Sequence, residues 1–266
     1  MSSNAGQTFF LPVWSLWARE VLRFVRQRNR IIGALGTPLL FWILLGSGFG
    51  KSFRAPQTEA GMNYLEYFFP GAVLLVVLFT AIFSSMSIIE DRKEGFLQGV
   101  LVAPVPRLAI VLGKVLGGAS LGFLQGLLVL LLAPLIGLGY GPLQFLAAGG
   151  VIFLAAVGLS ALGFALAWRM DSIPGFHAVM NLLLFPMWIL SGAFFPATGA
   201  SAWVKTVMLV NPLSYAMSAL RRVVYDAGTS DALGDTSLPI ALAVLGAFAG
   251  LALLAAVVAA GRPEKG

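Results

Sequence analysis

The sequence predicts an all-α integral membrane protein with six transmembrane helices, from its composition and its apolar runs. Of its 266 residues, 59% are hydrophobic and only 11% are charged, against about 45–50% and about 25% in an ordinary soluble domain. A helix needs about 20 apolar residues to cross a bilayer. Alternation typical of barrel strands is absent, so the long runs predict helices. The six runs are 31–49, 68–89, 115–138, 145–168, 176–195 and 238–260.

Residues 11–30, before the first run, predict a basic amphipathic helix. Aromatic residues and arginines recur three or four residues apart on two different faces. Such a helix lies in the headgroup plane with its aromatic side in the acyl boundary. It is either a plain anchor or an elbow that couples cytoplasmic motion to the first span. The aromatic side holds Trp14, Trp17, Val21 and Phe24, and the basic side holds Arg19, Arg23, Arg26 and Arg30.

The stretch GSGFGKS, residues 46–52, is one residue short of a phosphate-binding P-loop. That loop requires a glycine five residues before its second glycine, and Leu45 holds this position before Gly50. The stretch also follows an apolar run instead of a buried strand. We therefore expect its glycines to end the first span, and we expect no nucleotide site here.

The distribution of Lys and Arg predicts that both termini are cytoplasmic. Twelve of the 17 basic residues fall on the N-terminal side of the membrane and five on the other, and the cytoplasmic side carries the excess. The net charge of +6 is then a topology signal and a preference for anionic membrane lipid, and we expect no nucleic-acid partner. With no cysteine and one histidine, His177, we expect no disulfide and no metal site.

The loop at 90–107 carries the densest charge cluster of the chain. An acidic and basic head is followed by four apolar residues that form one stripe if the segment is helical, and Pro104 and Pro106 end it. We expect either a docking helix for a soluble partner or a solvated turn whose charges only fix the topology. The head is Glu90, Asp91, Arg92, Lys93 and Glu94, and the stripe is Phe96, Leu97, Val100 and Leu101.

Polar residues are rare within the predicted spans. Gln125, His177 and Asn181 are candidates for a translocation path or, equally, for interhelical hydrogen bonds. Lys114 is close enough to a span end to reach the interface, and no span has a carboxylate near its middle, which argues against an ion-driven carrier. Glycine faces that favour close helix packing are expected at Gly113, Gly117, Gly118, Gly122 and Gly126, and at Gly246 and Gly250.

Residues 196–237 are external by the charge distribution, yet too apolar for a free loop. Asn211 and Pro212 suit an N-cap and a first helical turn, and Arg221 suits a last turn. We expect short helices that fold back into the outer leaflet or cap the mouth of the bundle. The candidate cap residues are Phe195, Pro196, Asn211, Pro212, Tyr215 and Arg221.

Three segments together resemble the membrane permeases of the type 2 ABC exporter family. They are the basic N-terminal helix, EDRKEGFLQGVLVAPVPRLAIVLGK after the second span, and LSGAFFP with NPLSYAMSALR before the sixth. The resemblance implies a single permease domain, 1–266, in a bacterial inner membrane, paired with a second, identical copy. It further implies two copies of a cytoplasmic ABC ATPase that bind MgATP, with no cofactor in this chain.

In that family the loop after the second span carries the coupling helix that enters a cleft of the ATPase. The resemblance therefore assigns Glu90 through Leu101 to this contact, including Gly95 and Gln98, and assigns Pro196 to Tyr225 to external re-entrant helices. Family members often read GTLE where this chain reads Gly-Phe-Leu-Gln. The neutral Gln98 removes an acid that could pair with the ATPase.

The predicted function is export of an amphiphilic substrate, either a lipophilic drug or metabolite or a lipid-linked glycan. The path would open at the permease dimer interface when the ATPase pair closes on ATP. No catalytic site is expected, because no nucleophile, base and orienting group come together. The alternatives are an ion-coupled secondary carrier, a membrane-embedded lipid enzyme, and an accessory or scaffolding membrane protein.

Overall fold

The computed structural model describes residues 4–49, 63–225, 233 and 236–261. Within these residues the chain is helical and contains no strand. Ten α-helices follow in order: α1 Asn4–Arg26, α2 Arg28–Phe49, α3 Tyr64–Lys93, α4 Phe96–Val102, α5 Arg107–Leu130, α6 Pro142–Ala167, α7 Ile173–Trp188, α8 Ala202–Val210, α9 Pro212–Val224 and α10 Leu238–Gly261.

Among the described residues, six helical segments are long and apolar enough to cross a membrane, which confirms the predicted number. They comprise α2, α3, α6 and α10, α5 with a short 3₁₀ turn at Ala133–Ile136, and α7 with a π turn at Ile189–Ala193. Each coincides with one of the six apolar runs. Helix α3 begins at Tyr64, earlier than its run, because Asn63 and Glu66 form a capping box.

Helix α3 is the centre of the bundle. It is buried along most of its length and packs against α2, α5, α6 and α7, while α10 packs along α6. Its buried side chains include Phe68, Leu74 and Leu78, none more than 1% exposed. Most of the other spans therefore pack directly on this one helix.

Glycines on α5 bring α1 into close contact. A Cβ atom at Gly113 would lie 2.7 Å from the Leu16 Cβ, and one at Gly117 would lie 2.7 Å from the Glu20 Cβ. The close packing predicted for this glycine face therefore joins a span to α1. A Cβ atom added to Gly246 or Gly250 of α10 would have no other atom within 4 Å, so this face of α10 is open.

The prediction that the aromatic side of α1 lies in the acyl boundary is wrong for Phe24. Its ring is 2% exposed and packs with Ala34 and Leu121 inside the protein, not in a lipid boundary. The buried stripe of α1 is Leu16, Glu20 and Phe24, each one turn from the next, whereas Trp14 is 64% exposed.

The fifth apolar run does not form one continuous helix. Helix α7 ends at Trp188, and Gly192 adopts a φ of +89° within the π turn, a conformation that glycine adopts without strain. The chain then continues into α8 and α9. Helices are thus present in the segment predicted to form a cap.

Some sequence predictions fall on residues that lie outside the described part of the chain. Gly46 to Phe49 form the last turn of α2, while Gly50, Lys51 and Ser52 of the same motif lie outside it. So do Arg54, Arg262 and Lys265 of the charge distribution, and most of the loop at 226–237.

The contact of α1 with α5 predicts a position-specific effect of added methyl groups. We expect Gly117→Ala to lower the stability of the detergent-solubilised protein by about 1–3 kcal/mol, because Glu20 must move aside. Thermal unfolding measures this change. Gly246→Ala adds the same methyl group to an open helix face and should be neutral; equal destabilisation by both changes would contradict the close contact.

Candidate functional site

Ionised side chains from four helices meet at the end of the bundle where α3 ends. Four cations and four carboxylates connect to one another, so their formal charges balance. We call this group the charge network: Arg19, Glu20 and Arg23 of α1, Arg30 of α2, Glu90 and Asp91 of α3 with Glu94 just after it, and Lys114 of α5.

Asp91 is the centre of the charge network. Its side chain is fully buried, and it accepts hydrogen bonds from Arg19 at 2.7 and 2.8 Å, from Arg23 and from Lys114. A buried carboxylate is tolerated when cations and hydrogen bonds surround it. The sequence prediction placed Asp91 on a docking surface, whereas its side chain faces inward and leaves no atom for a soluble partner.

Lys114 connects α5 to both α1 and α3. Its Nζ donates to a Glu20 carboxylate oxygen at 2.7 Å, to the Ser87 hydroxyl at 3.1 Å and to Asp91. The side chain is 4% exposed, so the expectation that it reaches the membrane interface is wrong. Its three N–H groups have partners inside the protein instead.

Arg23 joins all three carboxylates at the end of α3. Its guanidinium lies 3.0 Å from Glu90 and 3.1 Å from Glu94, in addition to its bond with Asp91. Burial opposes the charge of Arg23, but these carboxylates outweigh it and raise its pKa. Glu90 also pairs with Arg30, which ties the start of α2 to the same point.

Arg92 points away from the charge network, toward the turn between α6 and α7. It donates to the backbone carbonyls of Trp168 and Met170, the latter at 3.1 Å, and to the Asp171 carboxylate at 3.0 Å. Neighbouring residues of one α3 turn therefore hold α1 on one side and the α6–α7 turn on the other.

Helix α4 is the predicted short helix of the 90–107 loop, and its apolar stripe faces the protein. Gly95, at φ +77°, separates it from α3. The Arg19 guanidinium carbon lies 3.6 Å from the centre of the Phe96 ring, and Leu97 is 3% exposed. The prediction that the apolar stripe is exposed is therefore wrong for Leu97, because this turn of α4 packs against the bundle.

The opposite side of α4 is open. Gln98 and Gly99 are exposed, and Val102 is 89% exposed. Lys93 and Glu94 are exposed just before the helix. This mixed surface extends beyond the bundle on a helix held by the charge network.

Of the three polar residues of the predicted path, His177 and Asn181 lie one turn apart on α7, whereas Gln125 belongs to α5. Gln125 is buried inside the bundle and accepts a hydrogen bond from the Thr80 hydroxyl at 3.0 Å. His177 lies edge-on to Phe83, with ring centres 5.7 Å apart. Asn181 is exposed on α7, so it alone presents its amide outside the described bundle.

The predicted cap is organised around the break in α7. Asn211 caps α9 by accepting from the Leu213 amide at 3.0 Å, and it also donates to the Met187 carbonyl. The Tyr215 hydroxyl donates to the Leu209 carbonyl at 2.8 Å. Pro212 begins α9, Phe195 is half-buried and Pro196 is buried beside the break.

Arg221 is buried within this cap. It is 3% exposed, donates to the Gly192 carbonyl at 2.9 Å, and lies 4.1 Å from the centre of the Tyr67 ring. The Tyr225 hydroxyl donates to the Glu66 carbonyl, and burial raises its pKa. The cap is thereby joined to the start of α3.

Sequence reasoning missed Glu20 and the role of Lys114. Glu20 is the one acid in the first 30 residues, and it lies one turn from Leu16 and Phe24 on the buried stripe. A single acid among arginines, together with Lys114 in a glycine-rich span, was the sequence signal that could have indicated this buried pair. No group of three or more metal-ligating side chains occurs within the described residues.

Comparison with known proteins agrees with this architecture. The sequence model of the ABC-2 type transporter family matches residues 12–225. The chain is 29% identical to the ycf38 transport permease of Cyanophora paradoxa over 83% of this chain and 77% of the relative. It is 26% identical to the inner membrane transport permease YadH of Escherichia coli K12, over 80% and 82%.

A third similar protein is the daunorubicin resistance ABC transporter permease protein DrrB1 of Streptomyces coeruleorubidus. The identity is 25% over 79% of this chain and 73% of the relative. All three matches cover more than two thirds of both chains, while the family model ends at residue 225, before α10.

The Lys114–Glu20 pair predicts a non-additive mutational effect. We expect Lys114→Met to destabilise the protein by about 3–5 kcal/mol, because Glu20 would stay buried without its cation. Glu20→Gln combined with Lys114→Met removes both charges and should recover much of that loss. Thermal or denaturant unfolding in detergent measures both.

Glu94→Gln is the matched control within the same network. The Glu94 side chain is 59% exposed, so its loss should change stability by less than about 1 kcal/mol. If the double variant is as unstable as the sum of its two single variants, Lys114 and Glu20 are not coupled and the described geometry is contradicted.

Proposed function

Because this chain belongs to the ABC-2 type transporter family and is a multi-pass transport permease, we propose that it is the membrane subunit of an exporter whose ATPase is a separate chain. The charge network carries this proposal. It joins α1, α2, α3, α5 and, through Arg19 and Phe96, the exposed helix α4. A force applied to α4 would reach these four helices together.

The ATPase would dock on the open side of α4. The surface consists of Gln98, Gly99 and Val102, flanked by Lys93 and Glu94. An 89% exposed valine on a short helix at the end of the bundle suits insertion into a cleft of a soluble partner. Asp91, Phe96 and Leu97 then act indirectly by holding α4 in position.

Two copies of the permease would form the path between them. Asn181 supports this arrangement, because it exposes a polar amide on a membrane span. Polar side chains at that depth generally face protein or water instead of lipid. A second, identical copy covering the α7 face would enclose Asn181, whereas Gln125, bonded to Thr80, would remain a packing residue.

The cap would close the outer side of the path. Arg221 and Tyr67 both donate to the Gly192 carbonyl at the break that follows α7. Movement of α9 would therefore be transmitted to the C-terminal end of α7. With the cap outside, both termini and the charge network would lie on the cytoplasmic side, which the Lys and Arg distribution supports.

The cargo would be amphiphilic: a lipophilic drug or metabolite, or a lipid-linked glycan. The spans offer an apolar surface with few polar groups, and DrrB1 is named for resistance to daunorubicin. The protein would lie in the inner membrane, because its relative YadH is named an inner membrane transport permease. Two copies of the ATPase would bind MgATP, and this chain would need no cofactor and would perform no catalysis.

An ion-coupled carrier is the alternative from a different class. Such a carrier needs titratable groups near the middle of its spans. The ionised groups of the charge network are instead collected at one end of the bundle and paired with one another. This placement favours mechanical coupling over ion transport.

Co-expression of the chain with the ATPase encoded beside it tests the proposal. We expect a stable complex that hydrolyses ATP and a permease that does not hydrolyse ATP by itself. ATP hydrolysis by the isolated chain, or consistent failure to purify any complex, would contradict the proposal.

Val102→Asp tests the docking surface without disturbing the bundle. We expect it to reduce recovery of the ATPase at least ten-fold, because a charge would enter an apolar cleft at a cost of more than about 1.4 kcal/mol. The thermal stability of the permease should not change, since Val102 is exposed. Leu97→Asp is unsuitable, because it would disrupt the buried side of α4.

Leu135→Asp is the matched control. Leu135 is 81% exposed in the 3₁₀ turn at the opposite end of α5, and its substitution should leave ATPase recovery unchanged. Equal recovery of the complex with Val102→Asp and the wild type would remove α4 from the interface.

A further inference from the structure

The five arginines between residues 19 and 30 divide into two groups. Arg19, Arg23 and Arg30 each bind a carboxylate of the charge network. Arg26 and Arg28 are exposed, and neither has a carboxylate within salt-bridge distance in the part of the chain that the structure describes. Two cations, separated by Gln27, are therefore left without a counter-ion among the residues that the structure describes.

These two arginines border a hollow at the junction of α1 and α2. Helix α1 ends at Arg26 and α2 begins at Arg28. The hollow has a volume of about 460 Å³, is wide open to the surface and is lined by residues 26–30. We call it the arginine hollow.

Helix electrostatics account for one of the two arginines only. Arg26 lies in the last turn of α1, where a cation is favoured by the helix dipole. Arg28 lies in the first turn of α2, which contains no acidic residue, and there the dipole repels a cation. An anion in the arginine hollow would neutralise both guanidinium groups and the start of α2.

Apolar side chains on both sides of the arginine hollow are also exposed. Leu22 and Val25 on α1 are 56% and 55% exposed, and Ile32 on α2 is 66% exposed. A basic amphipathic helix with such residues lies at the surface of a bilayer. These exposed apolar side chains are suited to contact acyl chains beside a hollow lined by arginines.

We propose that the arginine hollow binds the phosphate group of an anionic phospholipid. Arg26 and Arg28 donate to the phosphate oxygens, for which the planar guanidinium is well suited. The acyl chains of the same lipid contact Leu22, Val25 and Ile32. A free phosphate ion would satisfy the arginines but would leave this apolar border uncovered, so the lipid is the ligand.

Native mass spectrometry of the purified, delipidated chain tests this proposal. The chain is titrated with phosphatidylglycerol and, separately, with phosphatidylcholine. Arg26→Gln and Arg28→Gln should each weaken phosphatidylglycerol binding about five-fold, and together about 25-fold, since each arginine near an anionic surface contributes roughly 1 kcal/mol. Phosphatidylcholine carries the same phosphate, but its choline cation offsets the charge, so it should bind more weakly and lose less affinity in these variants. Thermal stability should be unchanged, because both side chains are exposed.

Three controls make the result specific. Arg169→Gln removes an exposed arginine beside the Arg92 contact at the same end of the bundle, and should not affect binding. Arg26→Lys with Arg28→Lys keeps the charge and should retain part of the affinity. Millimolar inorganic phosphate at constant ionic strength should not displace the bound lipid.

The proposal is overturned if the Arg26→Gln, Arg28→Gln double variant binds phosphatidylglycerol as the wild type does. It is also overturned if Arg169→Gln weakens binding equally, which would indicate general attraction by net charge. Displacement by inorganic phosphate would assign the hollow to a soluble anion. None of these measurements requires the ATPase, so the result is independent of the proposed transport function.

Discussion

An ionised group inside a membrane bundle must be neutralised by the protein, and this requirement organises one end of the molecule. Asp91 is fully buried and receives Arg19, Arg23 and Lys114, while Glu20 depends on Lys114. The partners come from helices far apart in the sequence. Pairing them fixes where α1 and α5 lie against α3, and the glycines of α5 make that approach possible.

The six spans could be predicted because burial in lipid is a local property of each apolar run. Their contacts could not, since a side chain's environment depends on the helix that packs beside it. Lys114 looked like an interfacial residue, and its true partners lie 94 and 23 residues away. Gly113 and Gly117 correctly indicated a close contact, but nothing in their spacing identified α1 as the neighbour.

The amphipathic pattern of α4 has a similar limit. Four apolar residues at helical spacing define a side of a helix, but they do not tell whether that side meets the protein itself or a partner. The cap shows the same difference between local and long-range information. Asn211 was recognisable as an N-cap from the residues beside it in the sequence. The burial of Arg221 required knowledge of the break at Gly192.

The three-way contact of Lys114 also constrains how the chain is inserted during synthesis. Glu20 and Asp91 emerge from the ribosome before α5 does, and neither can enter its final low-dielectric environment fully paired until Lys114 arrives. Glu20 is fully paired only when α5 is in place. The docking of α1 seen in the structure therefore depends on the third span.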